Sequence, residues 1–235
     1  MKKLKFPIFV KPEFSETDVF VFAKASQFER EDVVAGLARL GGQRQPDFFL
    51  SYMKSAEVLI NHGIETNSLD DVALPVFYLQ RHAVELLLKR LICWLYETNE
   101  FEENASLGRS IFLSVNKNGK ETSTFKGQHD LKSISKVLNS AVALFNTIAV
   151  PQVISDVVEL IAVFEKQDPT WSRYPTSGTG SKHHDQENPV PLAKIQKYLD
   201  LIRDSVVYKA NEESTFENHL YDLWLTSARA TGHAG

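Results

Sequence analysis

The sequence predicts an all-α protein, a helical bundle with one small β-hairpin inserted around residues 110–125. Three observations carry this. Apolar residues recur at spacings of three and four along most of the chain after residue 46. These periodic runs begin and end at Ser, Asp, Pro and Gly positions suited to helix termini. The one stretch lacking helix signals, residues 101–128, holds an Asn-Gly pair behind a β-prone run.

Residues 1–45 form a separate region in this scheme, an N-terminal arm with a short helix that packs on the main body. Aromatic and apolar residues alternate loosely with polar ones from Phe6 to Phe22. Glu29 to Leu40 has helical character and stops at Gly41-Gly42. The body follows over residues 46–235. Phe49, Tyr52, Met53, Ala56, Leu59 and Ile60 mark a first long helix that ends at Gly63. Ser68 or Asp70 caps a second, with Pro75 in or near its first turn, and this helix reaches about Tyr96. In the inserted segment 101–128, IFLSV precedes NKNGKE and the turn falls at Asn118-Gly119. Asp130 caps the next helix, LKSISKVLNSAVALF, and Pro151 opens another that runs to about Gln167. A polar loop rich in Pro and Gly spans residues 168–191. Leu192 to Lys209 and Phe216 to Ala228 close the body as amphipathic helices, the last of which seals the bundle or forms a dimer seam.

Composition narrows the functional classes. The net charge is −4, so any nucleic-acid contact requires a local basic patch rather than a global field. No stretch approaches about 18 consecutive apolar residues, so no membrane span is expected. The basic start is interrupted by Lys11 and Pro12, unlike a secretory signal, and a cytoplasmic location is expected. The single Cys93 excludes an intrachain disulfide and has the pattern of a buried thiol. His183, His184 and Asp185 are adjacent in a polar loop, and no distant ligands match them, so neither metal nor cofactor is expected.

The informative stretch is YLQRHAVELLLKRLICWLY, residues 78–96, which is apolar enough for an interior yet carries Arg81, His82, Glu85 and Lys89. At about 100° per residue, His82, Glu85 and Lys89 fall within about 40° of Tyr78, and Arg81 lies about 60° away. A narrow polar stripe on an otherwise apolar helix implies packing on several sides. Buried charge is costly unless paired, so the stripe is either neutralised by partners or forms a site. Within the helix, Glu85 can pair with Arg81 or Lys89. More distant partners are Tyr52 and Glu57 on the preceding helix, His129 and Asp130 at a helix start, and Arg173 and Tyr174 in WSRYP. Arg173 folding back onto Glu85 would tether the bundle. His129 facing the stripe would place two histidines and an arginine in one cleft.

The fragments SYMKSAEVLI, YLQRHAVELLLKRLI, GQHDLKSI and DPTWSRYP, taken in order, resemble the bacterial HEPN-like superfamily (higher eukaryotes and prokaryotes nucleotide-binding). The resemblance covers roughly Phe48 to Lys209. It implies a four- or five-helix bundle that often forms a homodimer. It also implies a role in antiviral defence, toxin–antitoxin or stress-response systems, with members divided between ribonucleases and non-catalytic interaction modules. Active members carry Arg and His on a late helix, separated by four to six residues. This chain departs from that pattern: Arg229 and His233 have only three residues between them, and Arg81 and His82 are adjacent. Both an endoribonuclease and a scaffold that binds a partner protein from the same operon therefore stay open. As an enzyme it would need no metal. His82, His129 and Arg81 would be catalytic, while Lys89, Arg90 and Arg173 would bind RNA phosphates. Glu85, Asp130, Tyr78 and Tyr174 would form the supporting polar network.

Overall fold

The computed structural model describes residues 34–36, 47–101, 105–146, 148–165, 189–210 and 214–232. The chain divides into two compact units, Met1–Pro46 and Asp47–Gly235. Of the first unit only Val34–Gly36 is described. There the helix expected to run to Leu40 already turns at Ala35-Gly36, with Gly36 at φ +67°. The expected strand or arm of residues 1–25 and its packing lie outside the described residues.

The second unit is helical, with one antiparallel hairpin. Its described elements are α1 (Phe48–Glu65), α2 (Leu69–Phe101), α3 (Ala105–Phe112), β1 (Leu113–Val115), β2 (Glu121–Ser123), α4 (Leu131–Phe145), α5 (Gln152–Glu165), α6 (Leu192–Ser205) and α7 (Phe216–Ala230). Asp47 starts α1 by accepting from the Leu50 N–H at 3.0 Å. Gly63 does not end this helix, contrary to the sequence expectation. It is buried two residues before the end, where an added Cβ would stand 2.9 Å from Leu69 Cα. The missing side chain lets the start of α2 pack directly on α1.

Helix α2 begins immediately after Ser68, with Asp70 and Asp71 in its first turn, where acidic groups complement the helix dipole. Pro75 lies one turn deeper than expected, and the helix runs five residues past Tyr96, for 33 residues in all. It touches α1, α3, α4, α6 and α7, so the chain wraps it on several sides as its narrow stripe implied. Val76, Phe77, Val84, Leu87, Leu88, Leu91, Ile92 and Leu95 form the centre of the core.

The segment expected to lack helix contains α3. Gly108 allows this short helix to settle against Asn99 of α2 and Leu144 of α4. The hairpin is present but small, pairing Leu113 with Ser123 and Val115 with Glu121. Its turn spans Asn116 to Lys120, and within it only Gly119 has positive φ, at +73°. The side chain of Asn116, rather than an Asn118-Gly119 two-residue turn, organises the loop by accepting from the Asn118 and Lys120 N–H groups. Arg109 grips Glu121 through two hydrogen bonds, tying α3 to β2. Asp130 caps α4 as expected, accepting from the Ser133 N–H at 2.8 Å, and Asn146 ends that helix in the left-handed region at φ +47°. Helix α6 stops four residues before Lys209, and α7 runs two beyond Ala228. Phe216, Leu220 and Tyr221 of α7 are buried, so this helix seals the bundle.

Candidate functional site: a buried ion network beneath two histidines

The polar stripe of α2 forms one connected network. Arg81 is 1% exposed and Glu85 3%, and the two side chains are ion-paired one turn apart. The Arg81 Nε–H donates to Glu165 Oε1 of α5 at 2.6 Å. Its Nη2 donates to the backbone carbonyl of His129, just before α4. One planar guanidinium thus holds α2, α5 and the entrance to α4 together.

Glu85 is the counterpart on the acidic side. Its Oε1 accepts from Lys89 Nζ at 2.7 Å and lies 3.0 Å from His129 Nδ1. His82 Nδ1 stands 3.9 Å from Oε2, an electrostatic contact too long for a hydrogen bond. Burial alone would raise the Glu85 carboxyl, but His82, Lys89 and Arg81 outweigh it and hold the group well below the usual carboxylate range. Glu165 moves the other way, pushed up by burial and by Asp130 and Glu85, against the pull of Arg81. Burial also opposes the Arg81 charge, yet Glu165 and Glu85 together keep the guanidinium more firmly protonated than usual.

An ionised Glu85 can only accept, so the neutral His129 ring must carry its proton on Nδ1. Nε2 is then the basic nitrogen, on a side chain that is 53% exposed. His82 is less exposed and is held between two tyrosines. Tyr78 stacks on it at 5.5 Å between ring centroids, and Tyr52 meets it edge-on at 4.7 Å. The site therefore has a dry ionic floor and two partly exposed imidazoles whose Nδ1 atoms face the same carboxylate.

Several sequence expectations change here. Arg81 is deeply buried and fully engaged by Glu165, Glu85 and the His129 carbonyl, so it is not presented to a substrate, contrary to expectation. Lys89 also donates to the Lys126 carbonyl at 3.0 Å, leaving its ammonium held from two sides rather than presented to phosphate. Arg90 faces away from this cluster. It donates to Asp47 Oδ2 at 2.7 Å and to Glu217 Oε2 at 2.8 Å, and Glu217 also accepts from Trp94 Nε1 and the Tyr208 N–H. The phosphate-binding roles expected for Lys89 and Arg90 give way to structural ones. Asp130 serves as the α4 cap, Tyr78 as the stacking partner of His82, and Glu57 pairs with Lys54. Arg173 and Tyr174 lie outside the described residues, as do His183, His184, Asp185 and His233. Cys93 is half-buried, and burial pushes its thiol up to about 12.

Glu165 was not anticipated from sequence. The signal was present: Ile154, Val158, Ile161 and Glu165 share one apolar stripe, and a carboxylate on a buried stripe demands a cation. Glu217 carries the same signal between Phe216 and Leu220. Among the described residues, no three His, Cys, Asp or Glu side chains are grouped to hold a metal ion. No helix among them is long and apolar enough to cross a membrane. Comparison with protein-family models, curated proteins and solved structures gave no match.

Proposed function

We propose that this chain is a HEPN-like protein of a prokaryotic defence or stress-response system that binds RNA and cleaves it through a metal-independent acid–base pair, His129 and His82. The observation that carries this is the shared carboxylate: a buried, ionised Glu85 faces Nδ1 of two imidazoles that both reach solvent. Such a carboxylate fixes a tautomer and stabilises the imidazolium that forms during proton transfer.

In the proposed reaction, His129 Nε2 takes the proton of a ribose 2′-OH and the 2′-oxygen attacks the adjacent phosphorus. The bond to the 5′-oxygen breaks, and a protonated His82 returns a proton to that leaving oxygen. The products are a 2′,3′-cyclic phosphate and a free 5′-hydroxyl. Arg173 is assigned to the phosphate on sequence grounds alone.

A second role, a non-catalytic module that dimerises or binds a partner protein, is favoured by one feature. Arg81 and Lys89 are neutralised within the network, and Arg90 by Asp47 and Glu217 outside it, so none of the three needs a substrate as counter-charge.

Incubating the purified protein with total RNA in EDTA separates the two. Cleavage that falls by about 10²–10⁴-fold in both His129→Ala and His82→Ala supports the acid–base pair. Equal cleavage by wild type and variants, or none by any of them, overturns it. RNA or protein binding without cleavage would then assign the second role.

A further inference from the structure

We propose that Glu165 is a positioning residue for the acid–base pair: acting through Arg81, it holds the His129 ring against Glu85 and so selects the Nδ1–H tautomer. This rests on the assignment of His129 as general base. Glu165 lies 84 residues from Arg81 in sequence and at the far end of another helix, yet it takes the Nε edge of the guanidinium. The other two edges serve the site directly, Nη1 binding Glu85 and Nη2 the His129 carbonyl.

The guanidinium is a rigid plane, so its three contacts are not independent. Fixing the Nε edge fixes where the two Nη groups point. His129 is thereby held at two places, its backbone oxygen by Arg81 and its ring by Glu85 Oε1. Arg81 is 1% exposed, so loss of the carboxylate removes the charged acceptor that fixes its Nε edge, and a water entering the vacated space would hold it less firmly. Without Glu165 the Nε–H would turn towards the remaining acceptors, chiefly Glu85, and the hold on the His129 carbonyl would slacken. The charged or titratable groups around the ring are Arg81, His82, Glu85 and Lys89 on α2, Glu165 on α5 and Asp130 beside it, while the Lys126 ammonium faces Cys93 and Glu97. Among the described residues, Arg81 is the one cationic partner of Glu165 and links it by hydrogen bonds to His129. Asp130 and Glu85 also feel the Glu165 charge directly, and Glu165→Gln, which removes the charge but keeps the acceptor, separates the two effects.

The test is ¹⁵N–¹H correlation of the imidazole nitrogens in the full-length protein, at a pH where the rings are neutral. Loss of one signal set in His129→Ala supplies the assignment. The wild-type ring should show a protonated Nδ1 and a bare Nε2. Glu165→Ala should lower the Nδ1–H population by about twofold or more, with RNA turnover falling about tenfold at unchanged KM. Glu165→Gln, which keeps an acceptor for Nε–H, should restore the wild-type pattern. A wild-type ring protonated on Nε2, or a folded Glu165→Ala with an unchanged tautomer, overturns the proposal. Should the alanine variant not fold, Glu165→Leu, which fills the space but offers no acceptor, takes its place, with an unchanged tautomer again counting against it. Tautomer changes as expected in a protein that never cleaves RNA would sink the proposed activity and leave the positioning role standing.

Discussion

Replacing Glu85 with glutamine would leave Arg81, Lys89 and His129 around a neutral amide in a space from which water is nearly excluded. Removing one partner of a buried ion network typically costs about 3–5 kcal/mol, because the remaining charge is stranded. Glu85→Gln is therefore expected to lower stability by that order in urea unfolding. The pH dependence follows from the sign of the shift. The folded carboxyl titrates below its ordinary value of 4.5, so its contribution is present above that value and is lost as the solution becomes more acidic. The wild type should thus lose stability more steeply than Glu85→Gln on acidification below about 4.5. At this scale the sequence was informative about half of the network. Arg81, Glu85 and Lys89 follow helical spacing, so their meeting was legible from local geometry. The partner on α5 was not, because no local rule specifies which distant carboxylate a buried arginine will find.

Helices and hairpin show the same division. Where termini are set by side-chain caps, as at Asp130, sequence and structure agree. Where a glycine serves packing, the usual reading of it as a stop misleads: Gly63 and Gly108 both mark close approach between helices. Gly108→Ala provides a check. Its new Cβ would overlap the Asn99 carboxamide and a Leu144 methyl, and Asn99 is itself buried. Overpacking of this kind costs about 1–3 kcal/mol, so thermal unfolding should move to lower temperature by several degrees, with α3 and the hairpin losing hydrogen-exchange protection first. The helix α3 was invisible in sequence because a glycine and two serines among only eight residues lower its helix propensity. Its position depends on packing against α2 and α4.

Across the molecule, α2 is the common partner, and its far end introduces a second pH response. Glu97 on α2 interacts with Trp224 of α7 and with Lys126, and burial pushes its carboxyl up to about 7. A raised carboxyl acts in the opposite sense to Glu85. Its favourable contribution is complete below the unfolded value of 4.5 and is lost as pH rises through about 7. Melting temperature should therefore fall between about pH 4.5 and 7, and the fall should be smaller in Glu97→Gln, with Trp224 fluorescence reporting the same midpoint. A pH-independent difference between the two proteins would contradict this account. The all-helical architecture and the wrapped central helix were legible from periodicity, since both follow from apolar spacing.

Arg90 joins residues 43 and 127 positions away in sequence, Asp47 and Glu217, on a single guanidinium. During ribosomal synthesis the first partner emerges early, and the second arrives only with α7. Until then Asp47 alone pairs with this cation, and Trp94 Nε1 lacks its Glu217 acceptor. Closure of the core around Trp94 accordingly waits for the segment Phe216–Ala230 to be made.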